Sequence, residues 1–304
     1  MAAGVHNTGS SPRLLQLGLD KRVDHYYKRY VGLQSEIFKK KEIDKGFFEA
    51  LELTGMSLAS IKGEGDVISM ESTRQHWVFR WPVYTYEKSA RFTMESLADN
   101  IYEDLLDRYG KEIAASIEGA KDLACANILN RAFNTDYTGP KAETLCITTH
   151  ALADGTSVAN RLTTHVDLSE DAIEQLCRVI LNFKNNENLP TSYMPQDLII
   201  HNDLIYEAQR ILANPNRPGT ANRDISALYK LGHIKDVKVW KRLTDTDAFF
   251  ITTDCDEGFT LLQKGGRMSR SSEDIHTWDK IVSVMERFAP IWIDWRCVVG
   301  SAGI

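Results

Sequence analysis

Residues 66 to 132 combine a long aromatic hairpin with a long amphipathic helix, and this pairing constrains the fold more than any other feature of the chain. The hairpin candidate runs from Asp66 to Tyr86, and its second half is rich in the Trp, Phe, Val and Tyr residues that favour a pleated sheet surface. The helix candidate follows at once, with apolar residues every three or four positions from Leu97 to Ile128. About forty helical residues span about 60 Å, roughly twice the width of a small domain. We therefore expect both elements to run along something larger than their own domain.

Length and composition predict a folded protein with one large domain or two ordinary ones. The chain has 304 residues, of which 43% are hydrophobic and 26% are charged, and these values support a proper core and argue against global disorder. The net charge of -6 argues against a general nucleic-acid binder, because phosphate affinity comes from Lys and Arg. No stretch approaches the ~20 apolar residues of a membrane span, and the first residues show no apolar signal core. We expect a soluble protein that is made in the cytoplasm and has no membrane partner.

The cysteines indicate a reducing compartment. An odd, scattered set without a Cys-x-x-Cys pair is typical of free thiols and not of a disulfide framework or a zinc site. Two of them fall on the apolar side of helix candidates, which predicts buried core thiols. The five are Cys125, Cys146, Cys177, Cys255 and Cys297.

The remaining segments predict an arm, a mixed α/β region and closing strands. Ser96 begins the long helix in a capping-box pattern, and Asp167-Leu-Ser-Glu170 predicts a second helix start. Leu198–Ile200 reads as a short buried strand, and Arg287-Phe-Ala-Pro290 as a turn between the last two strands. The closing strand candidates lie at 237–240, 248–252, 258–263, 278–286 and 291–299.

A search for catalytic or cofactor-binding groups finds little. His150, Asp154 and His165 are the best candidate metal ligands, although no His-Glu-x-x-His motif accompanies them. Cys146 near His150 lacks an orienting third group, and the chain contains no phosphate-binding glycine loop. The basic segment Lys264–Arg270 reads as an exposed turn. We therefore expect no enzyme activity and no cofactor, and the metal set defines a soluble metal-dependent enzyme as the alternative from another class.

The hairpin offers contact surface instead of chemistry. An isolated hairpin is marginal in water and leaves strand edges unpaired, and aromatic side chains are favoured at interfaces. Either these side chains fold back onto their own domain or they contact another subunit, and the residue pattern leaves both readings open. The candidate contact residues are Trp77, Phe79, Trp81, Tyr84 and Tyr86.

Several blocks, taken in order, resemble a known family. From about residue 50 to the end, the chain is similar to tailed-bacteriophage major capsid proteins of the Hong Kong 97 fold, close to the Mu-like major head subunit group. The blocks are Met56–Gly65, Ala124–Asn134, Thr148–Asp154, Asp167–Ala172, Leu198–Ile200, Tyr206–Leu212, Arg217–Thr220, Leu243–Ala248 and Asp294–Arg296.

The resemblance implies an α+β fold and a division of the chain. It implies that the extended loop lies over a neighbouring subunit and that the axial domain meets its copies around capsomer axes. The implied parts are an N-terminal arm (1–54), an extended β-hairpin loop (55–92), a peripheral domain with a spine helix (93–141), an α/β axial domain (142–255) and closing peripheral strands (256–304).

The implied function is self-assembly, through hexamers and pentamers, into an icosahedral shell around the double-stranded DNA of a tailed phage. The partners would be other copies of the chain, the portal, a separate scaffolding protein, decoration proteins and, non-specifically, the packaged DNA. The product would be a virion component that is assembled in the host cytoplasm. Covalent cross-linking, known in the family's type member, has no matching motif here. An encapsulin-like bacterial compartment is the nearest alternative.

Overall fold

The computed structural model describes most of the chain, and its contacts divide it into two compact units. The first unit comprises Met1–Phe48, Pro82–Cys125 and Leu261–Pro290, and the second comprises Glu49–Trp81, Ala126–Thr260 and Ile291–Ile304. At positions 53, 76 and 102–107 only the backbone is described. The described residues are 21, 23, 25–26, 32–53, 58–59, 61–65, 67–68, 70, 75–93, 95, 102–215 and 225–304.

Helices and strands alternate irregularly along the described residues, as in an α+β protein. The helices are α1 (Gln34–Ile37), α2 (Tyr102–Asn130), α3 (Glu170–Leu181), α4 (Ile205–Leu212) and α5 (Ala227–Leu231). The strands are β1 (Lys39–Glu42), β2 (Phe47–Leu53), β3 (Gln75–Pro82), β4 (Tyr84–Phe92), β5 (His150–Ala151), β6 (Ser157–Val158), β7 (Pro195–Ile200), β8 (Asp236–Val239), β9 (Phe249–Thr253), β10 (Phe259–Gln263), β11 (Met268–Glu273), β12 (Lys280–Trp292) and β13 (Val298–Ser301). Short 3-10 turns lie at Pro140–Ala142, Asn202–Leu204 and Trp295–Cys297.

The first unit is built on a five-stranded sheet with the order β1-β10-β12-β11, in which β4 also pairs with β12. From Lys280 to Phe288 every second residue of β12 is buried, as expected for a strand with one covered face. That face packs with α2 in a core that contains Ile113, Ile117, Val282 and Val284. Because each buried aliphatic side chain stabilises by about 1.5–3 kcal/mol, this contact accounts for much of the unit's stability.

The buried face of α2 also carries charge. Lys121 donates to the carboxylates of Glu118 (3.0 Å) and Glu286 (2.9 Å), and all three residues are buried. Gln34 and Gln263 donate to the same two carboxylates. By helix period, residues 118 and 121 lie on the same face of α2 as Ile113 and Ile117. The period alone cannot predict that the charged side chains at these two positions are buried together.

The second unit contains a four-stranded sheet with the order β13-β9-β7-β8, in which β7 and β8 are parallel and the other pairs are antiparallel. Leu198, Ile199 and Ile200 of β7 are fully buried, as the sequence predicts. Helix α3 begins at the predicted position, since the Ser169 hydroxyl caps it by accepting from the Ala172 N–H at 3.2 Å. The helix buries one face through Ile173, Leu176 and Ile180.

The long helix is confirmed over Tyr102–Asn130, and its predicted start at Ser96 lies outside the described residues. The predicted turn at 287–290 is wrong, because β12 continues to Trp292. Pro290 lacks an N–H, but the pairing of β12 with β4 ends at Phe288, so no bond of that ladder is lost. Half of the basic segment Lys264–Arg270 belongs to β11 and only its first half forms a turn.

The hairpin begins earlier than the sequence predicts. The partner of β3 is β2, so the first strand of the pair is 47–53 and not the segment after Asp66. The predicted arm (1–54) therefore contains two strands, β1 and β2. The sequence does not predict β2, because Phe47–Leu53 shows no strong alternation of apolar and polar residues. Pairing with β3, an aromatic strand distant in sequence, decides its conformation.

Candidate interaction surfaces

A two-stranded ribbon leaves a group of apolar side chains in water at its tip. We call β2, β3 and the connection between them the ribbon, and the described residues from 58 to 70 the ribbon tip. Five large apolar side chains of the tip are 68% to 101% exposed: Leu58, Ile61, Val67, Ile68 and Met70. Isolated exposed apolar residues are ordinary, but five within one short segment indicate a binding surface. The sequence pattern pointed only to the aromatic residues of the hairpin, so these five apolar residues were not predicted as contacts.

Glu52 holds the end of β2 from which the connection leads to the ribbon tip, within the second unit. Its carboxylate accepts a hydrogen bond from the Asn186 amide at 2.8 Å and lies 3.5 Å from the ammonium of Lys141. Asn186 in turn accepts from Arg296, which is buried and also donates to Asp294. A cavity of about 410 Å³ adjoins these groups and is lined by Leu51 among others. The connection to the ribbon tip therefore starts from a fixed polar anchor.

The five predicted contact residues divide into two groups. Tyr86 stacks on Phe288 inside the first unit, with ring centres 4.0 Å apart, and Trp77 lines the cavity of the second unit. Phe79 and Trp81 pack edge to face at 4.7 Å and remain partly exposed, and Tyr84 is exposed. Phe79, Trp81 and Tyr86 thus each contact an aromatic ring of their own chain, and an intersubunit role remains a prediction for all five.

A second exposed group sits on the turn between β11 and β12. The side chain of Arg91 donates to Asp279 (2.8 Å), Asp274 (2.9 Å) and Thr277 (2.7 Å), so the turn 274–279 is tied to β4 at three points. We call it the pinned turn. Trp278 is 62% exposed on it and has a φ of 59°, a left-handed conformation that L-residues adopt at a cost of about 1–2 kcal/mol.

The pinned turn also displays Ile275, which is almost fully exposed. Strained residues persist where the surrounding structure determines them, and they concentrate at functional sites. Trp is moreover the residue most enriched among energetically dominant contacts of interfaces. This surface could not be predicted from local sequence patterns, because Arg91 and Asp279 are remote in the chain.

A third exposed group belongs to the second unit, on and beside α4 and α5. Tyr206 projects from α4 into solvent. Around α5, which Ser226 caps at one end and Gly232 at the other with a φ of 61°, three more apolar residues are exposed. They are Ile225, Tyr229 and Leu231.

The structure does not gather the candidate metal ligands. His150 is bonded to Glu143 and Asn160, Asp154 to Thr156, and His165 to Arg161 and the Ala302 N–H. In the described part of the chain, no group of three His, Cys, Asp or Glu residues is arranged to hold a metal ion. Each candidate therefore already has a local structural partner.

The cysteines are free and buried. Burial raises the pKa of Cys177 and of Cys255 to about 12, and it also raises the pKa of Cys125, Cys146 and Cys297. Since the thiolate is the reactive form, these thiols are poor nucleophiles. Among the described residues, no helix combines the length and the hydropathy of a membrane span.

Comparison with known proteins identifies the fold. No family model and no curated protein matches the sequence. The chain is similar in structure to the virus-like particle from Pyrococcus furiosus, with a TM-score of 0.54, 10% identity, and 93% of this chain and 98% of the other covered.

Two further structures give the same result. A structure of Mycobacterium phage Patience matches with a TM-score of 0.53 and 10% identity, over 94% of this chain and 86% of the other. The holo-SrpI encapsulin complex from Synechococcus elongatus PCC 7942 matches with a TM-score of 0.52 and 8% identity, over 90% and 89%. The chain has the Hong Kong 97-type capsid fold, as its sequence resemblance implies.

Proposed function

We propose that the chain is the major capsid protein of a tailed phage and assembles, through hexamers and pentamers, into an icosahedral shell around double-stranded DNA. The observation that carries the proposal is the ribbon tip, where five large apolar side chains lie in water on a segment fixed at its base. The capsid-like shell fold supports it, because proteins of this fold assemble from many copies.

The ribbon tip gives assembly a driving force. Burying a large aliphatic side chain stabilises by about 1.5–3 kcal/mol, so covering the five residues supplies several kcal/mol to a contact. Part of that gain is offset by the loss of motional freedom on association. The anchor at Glu52 reduces this loss, because it orders the start of the connection to the ribbon tip before a neighbour arrives. Repetition around a closed shell then makes contacts of moderate strength sufficient.

Three of the five predicted aromatic residues, Trp77, Phe79 and Trp81, lie on strand β3 of the ribbon, and Tyr84 and Tyr86 lie on β4. Phe79, Trp81 and Tyr84 retain exposed area and are proposed as direct contacts with a neighbouring copy. Trp77 and Tyr86 also stay within the proposal, although their rings pack within their own chain and would act mainly by supporting the strands that carry them, β3 and β4. The exposed residues of the pinned turn and of α4 and α5 are further contact candidates.

Other partners belong to the same proposal. The proposed partners are a portal for DNA entry, a separate scaffolding protein and decoration proteins. The net charge of -6 argues against a general affinity for nucleic acid, so the proposed non-specific relation to packaged DNA would rest on local basic groups. Residues 142–255 are proposed to meet their copies around capsomer axes. Residues 93–141 are proposed to form the peripheral domain with its spine helix. The mature location would be the virion, after assembly in the host cytoplasm.

An encapsulin-like compartment shell is the second candidate, favoured by the similarity to the encapsulin complex. The two candidates differ in what the shell encloses and not in how the subunits contact one another. Particles isolated from the native source and treated with nuclease would retain double-stranded DNA if the chain is a phage capsid protein. Retention of a cargo enzyme instead of DNA would favour the compartment. A metal-dependent enzyme using His150, Asp154 and His165 finds no support in their contacts.

Assembly is tested with matched variants of the full chain. We expect the purified protein to form closed particles or sheets visible by electron microscopy. The double variant Ile61→Ser, Ile68→Ser should abolish them and leave the circular dichroism spectrum of the subunit unchanged. Ile304→Ser is the control, since Ile304 is 88% exposed but lies away from the ribbon tip in sequence. A wild type that stays monomeric with and without co-expressed phage head proteins contradicts the proposal.

A further inference from the structure

His150 is fully buried, and both of its ring nitrogens face hydrogen-bond acceptors. Nδ1 lies 2.8 Å from Oε2 of Glu143, and Nε2 lies 3.1 Å from Oδ1 of Asn160. A neutral imidazole has one N–H and one bare nitrogen, whereas an imidazolium has two N–H groups. The charge of His150 therefore depends on whether both partners must accept.

The orientation of the Asn160 amide is fixed by its other contacts. Its Nδ2 donates to the carbonyls of Leu145 (2.7 Å), Val298 (3.2 Å) and Trp295 (3.3 Å), and its Oδ1 accepts from the Ile147 N–H at 2.9 Å. Turning the amide over would place its oxygen against carbonyl oxygens in a site without exposed surface. Oδ1 therefore faces His150 and can only accept.

Glu143 also has to accept. Its Oε1 takes a hydrogen bond from the Ala151 N–H at 3.2 Å, while Oε2 faces His150. Burial raises the pKa of this carboxyl, but the hydrogen bonds from His150 and Ala151 and the charges of His150 and Lys141 lower it more, so that its pKa lies below the usual value. The group is a carboxylate at neutral pH.

Only the doubly protonated ring satisfies both neighbours. With the proton on Nδ1 alone, the lone pair of Nε2 would face Asn160 Oδ1. With the proton on Nε2 alone, the lone pair of Nδ1 would face a carboxylate. We propose that His150 is a buried imidazolium whose two N–H groups join Glu143 to Asn160, and that this bridge is a proton-dependent clamp within the second unit.

The surroundings of the ring suit a cation. His150 stacks on Trp295 with the ring centres 4.1 Å apart and the planes within 4°, and an indole face attracts positive charge. Arg296 lies 4.5 Å from the same indole, and Phe183 meets it edge on. The remaining ionisable groups around the clamp are Lys141 beside Glu143, and Cys146, whose sulfur lies 4.0 Å from the Asn160 amide and which Arg161 approaches.

The clamp joins segments that are far apart in sequence. Glu143 follows the Pro140–Ala142 turn, His150 lies in β5, and Asn160 binds the carbonyls at 295 and 298. Protonation of Glu143 would remove the carboxylate partner, so the clamp weakens as the pH falls through the lowered pKa of Glu143.

His165 is a natural control in the same unit. Its Nδ1 accepts from the Ala302 N–H at 3.0 Å, and its Nε2 lies 3.0 Å from a guanidinium nitrogen of Arg161. Burial and the Arg161 charge both lower its pKa. Two histidines of one unit thus face opposite partners, acceptors around His150 and donors around His165.

Nitrogen NMR of the full-length protein, with histidine rings labelled with ¹⁵N, tests the clamp at pH 7. The chain has eight histidines, and His150→Gln and His165→Gln assign the two signals by their loss. Magic-angle spinning allows the measurement on assembled particles. We expect two protonated ring nitrogens for His150 and one for His165. One bare nitrogen in the His150 ring overturns the proposal.

Glu143→Gln separates the clamp from simple packing. The amide oxygen still accepts from Nδ1, but the negative charge is gone, so His150 should give up one ring proton at pH 7. If it keeps both, the pairing is wrong.

Discussion

The ammonium of Lys121 lies 2.9 Å from the carboxylate of Glu286, and both side chains are buried in the first unit. Glu118 holds the other side of the ammonium at 3.0 Å. Two carboxylates thus depend on a single lysine away from solvent. A buried ion pair is weak evidence of net stability, but removal of one partner leaves an uncompensated charge.

Lys121→Met should therefore lower the free energy of unfolding by about 3–5 kcal/mol. The expected signal is a lower urea midpoint of the subunit by circular dichroism. Lys111→Met is the matched control, since Lys111 is exposed on the same helix and its loss should change the midpoint little. Adding Glu286→Gln to Lys121→Met should restore part of the loss. Equal effects at 111 and 121 would show that the cluster does not behave as a buried set.

Glu52→Ala should loosen the ribbon by removing its anchor to Asn186 and Lys141. We expect a loss of about 1–2 kcal/mol, the usual effect of a partly buried, charge-assisted hydrogen bond. Faster amide exchange confined to residues 47–53 and 75–82 would report it. Glu49→Ala is the control, because the Glu49–Arg80 pair is exposed and exposed pairs contribute little. Indistinguishable exchange in the two variants would contradict the anchor.

Trp278→Gly should separate folding from assembly. Glycine adopts a positive φ freely, so the substitution should keep or raise subunit stability, by up to about 1–2 kcal/mol. If the pinned turn is a contact, the yield of particles should fall at the same time. Thermal midpoints of unassembled subunits and particle counts by light scattering are the two measurements. Normal particle yield would remove Trp278 from the set of contacts.

The five thiols should resist alkylation in the folded protein. Their pKa values are raised by burial, two of them to about 12, so the thiolate is scarce at pH 8. Mass spectrometry after iodoacetamide treatment should find no adduct on the native chain and five after denaturation in urea. Rapid labelling of one cysteine under native conditions would locate a local opening. The pKa values are raised because burial disfavours the charged thiolate relative to the neutral thiol.

Acid should weaken the second unit through Glu143. Its pKa is lower in the folded chain than in the unfolded one, so its contribution is present above the usual Glu range and is lost as the pH falls through the folded pKa. Glu143→Gln should accordingly flatten the acid limb of the thermal midpoint profile. Glu207→Gln, at an exposed glutamate in the same unit, should leave that limb as steep as in the wild type.

Periodicity in the sequence was sufficient for the regular elements. The three- and four-residue spacing around Ile113 and Ile117 predicted α2, and the pattern at Asp167–Glu170 predicted the start of α3, because a helix places its apolar face and its cap by local rules. The resemblance of ordered blocks predicted the fold, which the structural neighbours confirm. The division into arm, loop, peripheral and axial parts remains a prediction.

Contacts between distant residues were beyond local rules. Four features were not predicted: the strand partner of β3, the continuation of β12 past Pro290, the three bonds of Arg91 to the pinned turn, and the opposite surroundings of His150 and His165. They depend on residues that lie up to 188 positions apart in the chain. Spacing in a sequence records which face a residue shares with its near neighbours. It contains no record of which far residue will lie opposite. The sequence by itself therefore determined the long helix, the apolar faces and the fold family. Tertiary structure decided which strands pair, which charges are buried and where apolar side chains are left in water.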